Sequence, residues 1–97
     1  MTALQILRDE YPGDAAWQNY VAACSIEWKA VPDQGKFIGK FGDHDIAVVL
    51  SSLLGERSFA WFDRPIGALE NLSPADVLEN DQDGKIILRS LIMRLPA

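Results

Sequence analysis

The strongest constraint on the fold lies between Asp43 and Gly55. Ile46, Val49, Leu50, Leu53 and Leu54 fall at i, i+3, i+4, i+7 and i+8, which gathers five apolar side chains on one face of an α-helix. Asp43 or Asp45 stands where an N-cap accepts from first-turn amides, and Gly55 stands at the C′ position. A helix this apolar on one side must be covered, and the segments before it supply helices to cover it. Trp17, Tyr20, Val21, Cys24 and Trp28 recur at i, i+3, i+4, i+7 and i+11, with Asp14 as N-cap. Val31-Pro32 ends that helix, because a residue before proline is pushed out of the helical region. Thr2 caps a shorter helix carrying Leu4, Ile6 and Leu7, stopped at Tyr11-Pro12-Gly13. Residues 32–42, PDQGKFIGKFG, hold three glycines and a proline and read as a connecting loop. Its alternation around Phe37, Ile38 and Phe41 suits a short extended piece that lays aromatics on the core.

Beyond Gly55 the spacing predicts a helix over Glu56–Phe62 that buries Phe59, Phe62 and Trp61 and stops at Pro65. Ser73-Pro74-Ala75-Asp76-Val77 is a helix start: serine at N-cap, proline at the first helical position and an acid at N3 each satisfy or complement unpaired amides. Leu72 and Val77 then take the N′ and N4 places of a hydrophobic staple. A final helix is expected from about Asp81 to Leu95. At 100° per residue, Ile87, Leu88, Leu91, Ile92 and Leu95 fill its core arc, leaving Lys85, Ile86, Arg89, Ser90, Met93 and Arg94 on the other half. Ninety-seven residues suffice for one core and not for two. The expected fold is therefore all-α, a single small domain of about five short helices around one core.

Charge and cysteine usage narrow the function classes. A formal charge of −5 speaks against nucleic acid as the default partner, because phosphate binding needs a clustered cationic face. No apolar run approaches the ~20 residues that span a bilayer, so no membrane role is expected. Met1 to Glu10 mixes apolar and charged residues, unlike a secretory signal. The one cysteine, Cys24, has no internal partner, which suits a reducing, cytoplasmic setting.

Candidate chemistry is sparse. His44, the one histidine, lies between Asp43 and Asp45, where a polar first turn explains it better than a metal site or a general base. Glu79 to Gly84 has the acidic spacing of a calcium loop, but Ser90 stands where a closing bidentate glutamate belongs. Cys24 lies on an apolar face, and Gly35-Lys36 and Gly39-Lys40 lack the spacing of a phosphate loop. No catalytic, cofactor-binding or metal-ligating residue is therefore assigned, and no enzyme is expected. The outer half of the final helix is the candidate surface, since methionine and arginine are enriched at interfaces.

Residues 56–95 resemble the toxin-binding domain of the MbcA/ParS/Xre family of bacterial antitoxins. The resemblance rests on Ala60, Trp61-Phe62, Pro65, Leu69, Ser73-Pro74, Val77-Leu78 and Gly84, followed by Ile87, Leu91 and Leu95. Asn71-Leu72 stands where the family commonly has a glycine before the Ser/Thr-Pro step. The resemblance implies residues 43–97 as the antitoxin-type, toxin-binding helical domain. Residues 1–42 are then a helical segment and loop of unknown role, packed on the same core. It also implies a partner: a RES-domain toxin, one that consumes NAD or transfers ADP-ribose, whose active site the antitoxin occludes. Arg89, Met93, Arg94, Leu95, Pro96 and Ala97 are expected to face the toxin. Trp61, Pro65, Leu69, Ser73, Pro74, Leu78 and Gly84 are expected to form the structural motif. A homodimer or a higher-order toxin complex would be the assembly. The alternatives are a DNA-binding transcriptional repressor with a diverged N-terminal reader, and a small regulatory adaptor of another partner.

Overall fold

Helices α1 (Ala3–Asp9), α2 (Asp14–Trp28), α3 (Gln34–Phe41), α4 (His44–Leu54) and α5 (Arg57–Phe62) are followed by a 3₁₀ turn at Gly67–Leu69 and by α6 (Pro74–Asn80) and α7 (Gly84–Ile92). This is the order in the computed structural model, which describes residues 2–95. The described residues form no strand, only one isolated bridge between Ile66 and Leu72, so the fold is all-α. Among the described residues there are seven α-helices where about five were expected, and one of them, α3, takes the place of an expected loop. None of the described helices is long and apolar enough to cross a membrane.

The centre is α4. Asp43 caps it, its carboxylate accepting from the Ile46 amide at 3.0 Å, and Gly55 closes it. Five consecutive residues, Ile46 to Leu50, are fully buried, so this helix is covered all round and not on one stripe. Helices α2, α3, α5 and α7 pack against it. From α2 come Trp17, Val21, Cys24 and Trp28, as the spacing predicts, with Tyr20 half-buried. Asp14 is not the N-cap of that helix. Gly13 takes that place and Asp14 is the first helical residue, its carboxylate accepting from the Tyr11 hydroxyl at 2.8 Å.

The loop expected over residues 32–42 is instead helix α3. Phe37 and Phe41, one turn apart, are buried, while Gly35 and Gly39 lie on the exposed side. Each glycine costs a helix about 1 kcal/mol relative to alanine. Burying a phenylalanine returns about 1.5–3 kcal/mol, which outweighs that cost. The rings join a cluster: Phe37 and Phe41 lie 4.8 and 5.8 Å from Phe59, and Phe41 lies 4.8 Å from Phe62. Tertiary burial thus selects the helix that local propensity disfavours.

The final helix is also shorter than expected. Asp81 closes α6 and does not open α7, its own amide donating to the Val77 carbonyl. Its side chain accepts from the Asp83 amide at 2.8 Å, so residues 81–83 form a turn. Ser90, expected on the solvated half of α7, is 1% exposed, because α1, α4 and α6 all pack against this helix. Leu95 lies beyond the helix, its amide donating to the Ile92 carbonyl.

Candidate functional site

The stretch from Trp61 to Gly84 is held by local chemistry that its residue types dictate. Ser73 and Asp76 form a reciprocal capping box: the Asp76 amide donates to Ser73 Oγ at 3.1 Å, and the Ser73 amide donates to Asp76 Oδ2 at 3.4 Å. Pro74 fills the first helical position and is buried with Ser73 and Val77. Before this cap, the chain makes a closed loop in which the Ile66 amide donates to the Leu72 carbonyl and the Asn71 amide to the Ile66 carbonyl. Glu70 and Asn71 take positive φ, 57° and 65°, the two non-glycine residues to do so among those described. Left-handed backbone is costly for a side chain and free for glycine. The loop therefore has glycine-type backbone next to the Asn71-Leu72 step.

Gly84 has a different reason to be glycine. A Cβ there would lie 2.4 Å from the Val77 carbonyl oxygen and 2.9 Å from Leu78 Cα. The start of α7 rests directly on the backbone of α6, and only a residue without a side chain permits that approach. Leu69 is fully buried, Leu78 and Trp61 are half-buried, and Pro65 is exposed. Leu72, expected in a hydrophobic staple, remains 41% exposed.

The residues expected to face a partner are placed as follows. The Arg89 guanidinium lies 5.4 Å from the centre of the Trp17 ring and reaches Asp14 at 3.5 Å, and its side chain is 18% exposed. Arg94 is 46% exposed and lies 3.7 Å from Glu10. Met93 is half-buried against the core and Leu95 is half-exposed. Pro96 and Ala97 lie outside the described residues. The end of α7 thus brings Met93, Arg94 and Leu95 together at the surface, while Arg89 is turned inward to α2.

The ion pairs of lysine and arginine follow a single pattern. Arg8 reaches Asp81 and Asp83, Lys40 reaches Asp63, Lys85 reaches Asp43, Arg89 reaches Asp14 and Arg94 reaches Glu10. Each joins the part of the chain up to Asp43 with the part from Asp63 onward. Exposed pairs contribute little individually, about 0–1 kcal/mol each. Together they set how the N-terminal helices sit on the C-terminal pattern. Three of them straddle an open groove of about 860 Å³ whose apolar lining includes Phe41, Phe62, Leu78 and Ile86.

The chemistry weighed from the sequence is absorbed by the fold. His44 Nδ1 lies 3.1 Å from Asp45, and Gln18 donates to the same carboxylate. Burial would raise the Asp45 carboxyl, but the hydrogen bonds from His44 and Gln18 outweigh it and hold the group below its usual value. Cys24 is a buried core residue. Of the acids in the 79–84 segment that carry the calcium-like spacing, Asp81 and Asp83 are spent on Arg8 and on the turn itself, and Glu79 is exposed. No grouping of three potential metal ligands exists among the described residues.

Sequence reasoning did not single out Arg57 and Arg64. With Leu54, Ala60 and Trp61 they line a smaller hollow of about 270 Å³ on α5 and the turn after it. The signal was present as i, i+4, i+7 spacing about Trp61, but nothing in the sequence says which arginines lack a carboxylate. No family model matches the chain, and comparison with curated proteins and with solved structures gives no match.

Proposed function

We propose that this chain is an antitoxin-type binding protein that neutralises a RES-domain toxin by covering its active site, without enzymatic activity of its own. The observation that carries the reading is the left-handed backbone at Glu70–Asn71. It reaches into the step where the resembling family commonly has a glycine, and a left-handed backbone is one that glycine adopts freely, which supports the reading. The capping box at Ser73-Pro74 and the close seat of Gly84 on Val77 give physical reasons for the other motif positions. The toxin-facing surface is the end of α7, where Met93, Arg94 and Leu95 lie together and the chain continues into Pro96 and Ala97. The Arg94–Glu10 pair is long and exposed, so exchanging Glu10 for a partner carboxylate or phosphate costs little. Arg89 supports that surface from behind through Trp17 and Asp14.

Co-expression with a RES-domain protein encoded next to this chain tests the proposal. Growth should be rescued, and the two proteins should co-purify. Arg94→Glu should weaken rescue while far-UV circular dichroism stays unchanged. Toxicity undiminished by the unaltered chain would overturn the functional reading. Full rescue by the Arg94 variant would overturn only the placement of the surface.

A further inference from the structure

The chain has nine lysines and arginines, and five of them, Arg8, Lys40, Lys85, Arg89 and Arg94, meet carboxylates. Lys36 rests 5.0 Å above the Phe59 ring. The remaining three make no ion pair or side-chain hydrogen bond among the described residues: Lys29 stands by itself on the end of α2, and Arg57 and Arg64 are both exposed. They are seven positions apart with Trp61 between them, and all three line the hollow on α5. Trp61 is half-buried, its ring packed partly on the core and partly lining the hollow. Both guanidiniums are without a carboxylate partner among the described residues, although the chain carries 14 acids to nine bases. Tryptophan and arginine are also the residues that most often dominate binding energy when a partner covers them.

We propose that this hollow is a docking site for a short carboxylate-bearing segment of a partner protein. One apolar side chain sits against Trp61, Leu54 and Ala60, and a carboxylate on either side is taken by Arg57 and Arg64. Charge complementarity selects this occupant. Guanidinium pairs carboxylates in a fork that gives direction as well as attraction. A nucleic acid strand would need a longer run of cations than two arginines in an acidic chain. The hollow holds about 270 Å³, room for one large side chain and not for a small-molecule cofactor. The site lies on α5, apart from the end of α7, and does not depend on the partner being a toxin.

The test is selection of random displayed peptides on the immobilised full chain, followed by affinity measurements on the enriched peptides. Enriched sequences should carry an apolar or aromatic residue flanked by Asp or Glu. Arg57→Glu with Arg64→Glu should weaken their binding by about tenfold or more, and added salt should weaken it as well. Lys29→Glu, which reverses an exposed cation on the end of α2, should leave binding within about twofold. Melting curves of all variants verify the fold. No enrichment, enrichment of basic peptides, or binding indifferent to the double reversal overturns the proposal. So does a gel shift of single-stranded DNA, or self-association of the chain, that the double reversal abolishes, since either would give the hollow a different occupant.

Discussion

Helices α5 and α7, each with the turn that follows it, carry two arginines, and the two pairs have opposite fates. On the α7 side, Arg89 lies against Trp17 and Asp14, and Arg94 meets Glu10. On the α5 side, Arg57 and Arg64 flank a tryptophan as Arg89 approaches one, yet no carboxylate reaches them among the described residues. The difference comes from what packs beside each helix. Helix α7 is bordered by α1 and faces the start of α2, which carry Glu10 and Asp14. Helix α5 contacts α4 and α6, and no acid lines the hollow on it. An arginine's availability to a partner is therefore a property of its neighbours in space, and the residue itself does not disclose it.

Three measurements sharpen or break this comparison. The largest effect is expected from Gly84→Ala, which sets a methyl group against the Val77 carbonyl oxygen and forces α7 off α6. Overpacking of this kind should cost about 3 kcal/mol in denaturant unfolding and loosen the α7 face while leaving the α5 hollow intact. A loss below about 0.5 kcal/mol, the scale of ordinary surface changes, would mean that the turn relaxes freely and that α7 is not fixed by this contact. Next, Arg89→Ala should lower stability by about 1–2 kcal/mol, because it removes a cover from Trp17 and leaves Asp14 without its cation. Arg57→Ala and Arg64→Ala should each stay within about 0.5 kcal/mol. Equal costs for all three would erase the distinction between a structural arginine and an available one.

The smallest effect concerns Asp45. Its folded carboxyl is held below the usual 3.8: hydrogen bonds from His44 and Gln18 overcome desolvation, and Arg89 adds a distant attraction. A lowered folded value means the group adds stability above pH 3.8, and that stability is lost as pH falls through the folded value. In an NMR titration of the Asp45 side chain, Arg89→Ala should move the midpoint upward, and Arg57→Ala should not move it. A midpoint unchanged by Arg89→Ala would show that His44 and Gln18 act alone.

Much of the scaffold was legible before the structure. The Ser73 cap, the cap of α4 narrowed to Asp43 or Asp45, and the buried face of α2 each follow from side chains acting within a turn or two of their own position. What was not legible depends on contacts between distant segments. Helix α3 forms over two glycines because Phe37 and Phe41 find Phe59 and Phe62, rings far along the chain. Ser90 is buried because helices cover α7 from more than one side, and no wheel drawn for one helix contains its neighbours. In the same way, the α7 arginines looked like a partner surface because Glu10 and Asp14 are some eighty positions away in sequence.

The sequence by itself determined the class of fold and the Thr2 and Ser73 caps that start α1 and α6. These are local matters of spacing and hydrogen bonding. The tertiary structure decided which charges are spent. Five cations bind carboxylates that come from the opposite part of the chain, while Arg57 and Arg64 remain beside Trp61. The physical reason is reach. An ion pair forms within a few ångströms, and only the folded chain says which acids lie within them.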